Sequence, residues 1–172
     1  ATIAGNICNA SPAGDLLPGL YVHNAVIQIS GLKGERVVPI HQFITGVGKT
    51  ILESDEIVVG IVIPKSSIKS LFYKLGLRQS MAISVVNFAI AYEIDENNNW
   101  KSLQIAAGSV APTVIYLKTF TDALFSGSDV DESIQLVDDE ISPIDDIRAT
   151  ASYRSKVIKN VLMHIIKEIY VR

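Results

Sequence analysis

From Tyr153 towards the end of the chain, apolar residues return at steps of three and four: Tyr153, Val157, Val161, Leu162, Ile165, Ile166 and Ile169. Lys156, Lys159, Asn160 and Lys167 take the other side. That spacing predicts a long α-helix from Thr150 onward with one buried stripe. A period of two governs residues 83–94, where Val86, Phe88, Ile90, Tyr92 and Ile94 alternate with Val85, Asn87, Ala89 and Ala91. Alternation of this kind predicts a strand, here with one bulky face and one thin face. The run Asp95 to Asn99 reads as a turn. Trp100 to Val110 returns with Leu103, Ile105 and Ala107 on one side, completing an antiparallel hairpin that Pro112 ends.

The same reading divides the rest of the chain. Asp15 precedes a short helix containing Leu16, Leu17 and Leu20, with Pro18 still in its first turn. Ala25 to Ser30 and Arg36 to Ile40 form a hairpin around the GLKGE turn, and Val58 to Ile63 is a further strand ended by Pro64. Lys65, Ser66 and Ser67 form a polar hinge, which sets the expected boundary between a first unit, residues 1–66, and a second, residues 67–172. The second unit opens on a strand from Ile68 to Leu75. After its hairpin come three helices: Leu117 to Phe125, stopped by Gly127; Val130 to Ile141, capped at Ser128 or Asp129; and the long one. Strands first and helices afterwards predict an α+β unit, an antiparallel sheet covered on one face by helices. No internal repeat or low-complexity segment interrupts this order.

Hydrophobic residues make up 48% of the 172, yet the longest apolar stretches, such as Ile57 to Ile63, fall far short of the ~20 residues that cross a bilayer. The excess belongs to cores or interfaces. With 15 basic and 18 acidic residues the net charge is -3, which offers no electrostatic reason for nucleic acid or an anionic membrane as partner. A single cysteine, Cys8, cannot close an internal disulfide, and no signal-peptide pattern is visible, so the cytoplasm is expected. His23, His41 and His164 lie far apart, and none stands at a metal-ligand spacing from another. For Cys8 a small packed side chain is preferred over a cysteine-histidine nucleophile.

The opening ATIAGNICNASPAGD is dense in small and polar residues, follows no strand or initiator methionine, and reads as a chain joined in the middle. Ala4 and Gly5 let a backbone turn approach another surface closely. The amides around Gly5 and Asn6 could converge on a phosphate; a plain turn is the alternative.

This run resembles the segment T-I-G-G-N-I-x-x-A-S-P-x-x-D of the FAD-binding domain in the flavoprotein (medium) subunits of molybdenum hydroxylases, the xanthine dehydrogenase and carbon monoxide dehydrogenase type. The resemblance continues through GLKGERVVPIHQFITGVGKTILESDEIVVGIVIP, with its K-T-x-L element and D-E-I strand. It extends to FYKLGLRQSMAISVVNFAIAY, to GSVAP (the family's G-x-V-A-P) and to DIRATASYR (D-x-R-A-S-x-x-Y-R). It implies an α+β protein: the C-terminal part of a PCMH-type FAD-binding domain, then a CO dehydrogenase flavoprotein C-terminal-like domain. It also implies that the N-terminal half of the FAD domain, with its own phosphate loop, stands outside this chain.

Carried over residue by residue, the resemblance implies that Ala1, Thr2, Ala4, Gly5, Asn6, Cys8 and Asn9 line FAD, with Gly14 and Asp15 closing that loop. Ile51 and Leu52 would contact the cofactor from the same unit and Lys74 from the second, where its charge would favour reduced, anionic flavin; Ile83 would lie beside the flavin ring. Read from the residues alone, Asp15 is a helix cap, Ile51, Leu52 and Ile83 are core, and Lys74 is a solvated strand lysine. For Arg148, Tyr153 and Arg154 the structural reading is preferred: an anchor for the last helix, a core aromatic and a domain or subunit contact. Ala4 replaces the first glycine of the family's G-G pair, so its methyl group needs room or a negative φ.

The function implied is that of an oxidoreductase component that takes electrons from iron-sulfur clusters through FAD to an acceptor such as NAD or oxygen. Its implied partners are a molybdopterin-binding large subunit, an iron-sulfur small subunit and the N-terminal part of the FAD domain. The alternative is a cofactor-free module that docks subunits. An unrelated flavin oxidase sharing the FAD-domain architecture is disfavoured by the G-x-V-A-P and D-x-R-A motifs of the second unit.

Overall fold

The computed structural model describes residues 2–171. Ala1 therefore lies outside the described residues. The first hydrophobic core gathers helix α1 (Ile3–Cys8), helix α2 (Leu16–Val22) and a sheet ordered β2-β1-β5, from β1 (Val26–Gly31), β2 (Gly34–Pro39) and β5 (Ile57–Val62). All pairings are antiparallel, with Val26 opposite Pro39 and Gly31 opposite Gly34 in the hairpin, and a bulge between Gln28 and Ile29 on the β5 side. Helix α3 (Ile40–Phe43) and the small ladder of β3 (Ile44–Gly46) with β4 (Lys49–Thr50) close this core over Ile40, Phe43 and Ile44.

The opening run departs from the expected turn. Thr2 caps a short helix, its hydroxyl accepting the Gly5 amide at 3.0 Å, and fully buried Ile7 fastens the helix to the core. Small residues carry almost no periodic signal, which is why the sequence pattern missed it. The helix ends where Ala10 takes a left-handed φ of 46° and its carbonyl accepts the Gly48 amide at 3.0 Å. Ala4 lies within the helix and has no positive φ, so a methyl group in place of the family's glycine is accommodated.

The second core is built on a sheet ordered β6-β7-β8-β9, from β6 (Lys69–Gly76), β7 (Ser84–Ile94), β8 (Trp100–Gly108) and β9 (Ile115–Tyr116), antiparallel throughout. Its bulky face, with Val86, Phe88, Ile90 and Ile105, packs against α4 (Lys118–Phe125), α5 (Val130–Ser133), α6 (Val137–Glu140) and α7 (Ala151–Val171). The helix expected from Val130 to Ile141 is broken: a 3₁₀ turn over Ile134–Leu136 separates α5 from α6. In a 3₁₀ turn positions i and i+3 eclipse, and here this sends both Ile134 and Val137 into the core. Gly127, with φ of 85°, ends α4 as its sequence position indicated.

The thin face of the same sheet covers the first unit. Ala89, Ala91 and Ala106 carry so little side chain that α2 can lie close across β7 and β8, and the three alanines join the core of the first unit. The two rings of Tyr21 and Tyr116 sit 5.4 Å apart across this junction, and the Tyr116 hydroxyl donates to the Tyr21 carbonyl at 2.8 Å. Burial drives the Tyr21 phenol up to about 12, with the neighbouring Tyr116 adding to it.

Two predictions arise from this architecture. Gly19 stands inside α2, and a Cβ there would meet nothing within 4 Å. Gly19→Ala is therefore expected to stabilise the protein by roughly 0.5–1 kcal/mol through lost unfolded-state entropy, read as a higher urea midpoint at unchanged slope. Across the end of β1 in the first sheet, Arg36 clasps Glu56 with two hydrogen bonds of 2.7 and 2.8 Å, and the Glu53 amide donates to the same carboxylate at 2.8 Å. The Arg36 hydrogen bond first, then that amide, hold the Glu56 carboxyl down at about 2 against an ordinary 4.5. A depressed carboxyl stabilises the fold above its unfolded value and loses that contribution as pH falls towards its folded value. Wild-type and Glu56→Gln stability curves should accordingly converge between pH 4.5 and about 2; parallel curves across that window would contradict the pairing.

Candidate flavin site

Where the first unit meets the open end of the second sheet, a cleft of about 310 Å³ is lined by Pro12, Val47, Ile83, Ser109, Arg148 and Arg154, among others. A neighbouring groove of about 370 Å³ shares Ile83 and Arg148 with it, and one of about 520 Å³ continues past Arg78 to Lys74. The polar frame of the cleft comes from the motifs noted in the sequence. Ser109, in the G-S-V-A-P run, adopts a left-handed φ of 64°, donates its amide to the Pro12 carbonyl at 2.9 Å and its hydroxyl to the Ser84 carbonyl at 3.2 Å. Gly108 precedes it at a close approach: a Cβ there would stand 2.8 Å from the Pro12 oxygen and 2.2 Å from Asn87 Oδ1.

The D-x-R-A element fixes the other wall. Arg154, only 3% exposed, donates to the Val85 and Ser109 carbonyls at 2.5 and 3.1 Å and to Asp146 at 2.8 Å. Arg148 also reaches Asp146, at 2.9 Å, just ahead of α7. Burial acts to raise the Asp146 carboxyl, but the Arg148 and Ala149 amides and the two guanidinium groups outweigh it and hold it far below the usual carboxylate range. Arg148 is thus an anchor at the start of α7, as expected. Tyr153 is not a core aromatic: it is 48% exposed, because the buried stripe runs through Arg154, Ile158, Leu162, Ile166 and Ile169, one residue later. A charged residue heads that stripe, and the apolar pattern shifted onto its neighbour.

The two units also meet through charge. Asp15 heads α2, yet its side chain caps no helix amide. Its carboxylate turns instead to the second unit, accepting Lys74 Nζ at 2.5 Å on Oδ2, and on Oδ1 the Ser84 hydroxyl at 2.6 Å and Asn87 Nδ2 at 3.4 Å. Burial pushes the Asp15 carboxyl up, but the hydrogen bonds from Lys74, Ser84 and Asn87 and the Lys74 charge prevail and leave it below its ordinary value. Lys74 is therefore no solvated strand lysine; its side chain is 28% exposed and paired.

Of the residues assigned from the sequence, Thr2, Ala4, Gly5, Asn6, Cys8 and Asn9 lie on or beside α1, with Thr2, Gly5 and Asn9 exposed and Ala4, Asn6 and Cys8 half-buried. Gly14 is buried, and a Cβ on it would stand 3.3 Å from Asn6 Oδ1, so the α1 and Asp15 ends of the loop touch. The expectation that the amides of Gly5 and Asn6 point together at an anion is corrected: both turn back to Thr2, at 3.0 Å to its hydroxyl and 3.0 Å to its carbonyl. The amides of Ile3 and Ala4 precede the first intrahelical bond and lie at the exposed helix end. Ile83 is 53% exposed on the cleft rather than core. Ile51 and Leu52 pack, partly exposed, against the first core, and the Ile51 carbonyl accepts from Arg36 at 3.2 Å. Burial raises the Cys8 thiol, which works against a nucleophilic role. Ser84, Asn87 and Ser109 escaped notice; a polar residue at position 87 inside an otherwise apolar alternation was the available signal.

Residues 71–169 match the family model for the CO dehydrogenase flavoprotein C-terminal domain, and residues 1–66 match that for the FAD binding domain in molybdopterin dehydrogenase. The chain belongs to the CO dehydrogenase flavoprotein family. Among its relatives, the xanthine dehydrogenase FAD-binding subunit of Escherichia coli O157:H7 is 31% identical over 175 residues, which cover 98% of this chain and 60% of that one. The chain thus spans about 60% of the length of this and two other FAD subunits it matches. This flavoprotein fold also superposes on solved structures. Reconstituted CO dehydrogenase from Oligotropha carboxidovorans gives a TM-score of 0.88 at 22% identity, covering 100% of this chain and 62% of that one. Quinoline 2-oxidoreductase from Pseudomonas putida 86 gives 0.89 at 20% identity, covering 99% and 60%. Among the described residues no cluster of His, Cys, Asp or Glu could hold a metal ion, and no helix is long and apolar enough to cross a membrane.

Proposed function

We propose that this chain is the FAD-bearing electron-transfer part of a molybdenum hydroxylase, standing between iron-sulfur clusters and an acceptor such as NAD or oxygen. Its two units, residues 1–66 and 67–172, hold the cofactor jointly. Its partners are a molybdopterin-binding large subunit, an iron-sulfur small subunit and the N-terminal part of the FAD domain, and it works in the cytoplasm. The observation that carries this reading is the Asp15–Lys74 pair of 2.5 Å. It ties the end of the T-I-A-G-N-I loop to the strand that leads to Ile83, two places where the family resemblance puts cofactor contacts.

The residues present fit such a group. The start of α1, where Thr2, Ile3 and Gly5 are exposed, leaves the chain surface open to a pyrophosphate. Thr2, Ala4, Gly5, Asn6, Cys8 and Asn9 bound that end, with Ala1 preceding it, and Gly14 and Asp15 close the loop. Ile51 and Leu52 support it from the first unit. Half-exposed Ile83 supplies an apolar surface for a planar ring, while Lys74, its charge balanced by Asp15, brings an ammonium donor to the edge of the site. Bound flavin supplies the redox chemistry; the chain binds it, orients it and shapes its electrostatics.

Titrating the purified chain with FAD tests the proposal. Saturable quenching of flavin fluorescence, with a yellow protein after gel filtration, is expected. A colourless protein that takes up no added FAD would favour the alternative reading, a cofactor-free docking module.

A further inference from the structure

Asn87 sits in the middle of β7, fully buried, on the thin face beside Ala89 and Ala91. A polar amide is an unusual occupant of that place, and only half of it is satisfied: Nδ2 donates to Asp15 and Ser84, while Oδ1 is buried with no hydrogen-bond partner. Valine would fill the same space without stranding an acceptor. The surroundings nonetheless make room for the amide. Position 108 is glycine, where any Cβ would lie 2.2 Å from Asn87 Oδ1. Asp15 forgoes its helix-capping bond to face this strand. The amide cannot be turned over, because its carbonyl would then confront a carboxylate oxygen, acceptor against acceptor.

The hydrogen bonding has a direction. A serine hydroxyl has one proton, and Ser84 Oγ, accepting from Asn87 Nδ2 at 3.3 Å, keeps that proton for Asp15 Oδ1 at 2.6 Å. Asn87 thus holds Oδ1 twice, directly and through Ser84. With Oδ1 turned to Ser84 and Asn87, Oδ2 is presented to Lys74. Among the described residues Lys74 is the one charged group paired with Asp15.

We infer that Asn87 is a positioning residue: by fixing the Asp15 carboxylate it sets where the Lys74 ammonium stands at the edge of the flavin site. This role rests on the FAD reading for its purpose, but not for its geometry. Valine ends at Cγ and carries no polar atom, so Asn87→Val removes the donor towards Asp15, while Gly19→Ala, in open space on α2, leaves it in place and serves as the control.

The test is to follow the Asp15 carboxyl titration by NMR in the wild-type chain and both variants, and to measure FAD affinity alongside. The Asp15 midpoint is expected to move up in Asn87→Val and to stay low in Gly19→Ala. FAD affinity should fall about tenfold in the first and hold in the second, the ratio one charge-assisted hydrogen bond commands. Ser84→Ala, acting on the same carboxylate oxygen, should also raise the midpoint. Identical Asp15 titrations in all the proteins would overturn the inference, as would a raised midpoint in Asn87→Val with undiminished FAD binding. A raised midpoint in a chain whose wild type takes up no FAD leaves the positioning of Asp15 standing and removes the cofactor reading alone.

Discussion

Replacing Arg154 with methionine is expected to lower the unfolding free energy by about 3–5 kcal/mol, the range for removing one partner of a buried ion pair. The guanidinium is almost wholly buried and serves three acceptors on different elements: Val85 at the start of β7, Ser109 just after β8, and Asp146 ahead of α7. Methionine fills most of the volume but leaves two buried carbonyls without this donor and strips Asp146 of one guanidinium, with only Arg148 and two amides remaining. Lysine keeps the charge but not the fork, so Arg154→Lys should recover only a fraction of the loss. Urea unfolding checks this directly. A loss below about 1 kcal/mol for Arg154→Met would mean that the D-x-R-A motif does not fasten α7 to the sheet.

Gly108→Ala is the second large effect expected. A methyl group there collides with Asn87 Oδ1 and the Pro12 carbonyl together. The amide is held by Asp15 and Ser84, and the carbonyl is backbone, so neither can yield without moving the Ser11–Pro12 loop off the sheet. Overpacking of this kind costs about 1–3 kcal/mol. Because the strain falls at the junction of the units, flavin affinity should drop with stability, whereas Gly19→Ala, in open space, should leave it unchanged. Thermal unfolding and FAD titration of both variants separate the two effects; equal behaviour would contradict the close approach.

Much of this fold was legible in the sequence because burial leaves a period. The alternation through 84–94 and its bulky and thin faces emerged as drawn, and the thin face proved to be the docking surface for α2. The helix α7 was equally plain, although its buried stripe begins at Arg154, which no hydrophobicity pattern could nominate. The opening helix was hidden because alanine, glycine and asparagine mark neither face. The break between α5 and α6 depends on how the core beneath accepts Ile134 and Val137, which is tertiary information. The proposed site was legible only in part, for a related reason. Motif residues could be named, but the pairing of Asp15 with Lys74 joins positions 59 apart, and nothing local to either announces it. Asn87 carried a local signal, a polar residue in an apolar strand, but that signal named no partner before the units were placed together.

The most direct test of the flavin site is a titration of isotope-labelled chain with FAD, followed by amide NMR. The predicted result is saturable shifts concentrated on Thr2 to Asn6, Asp15, Lys74 and Ile83. Shifts confined to other surfaces, such as the groove beside His41 and Tyr116, or none at all, would contradict it.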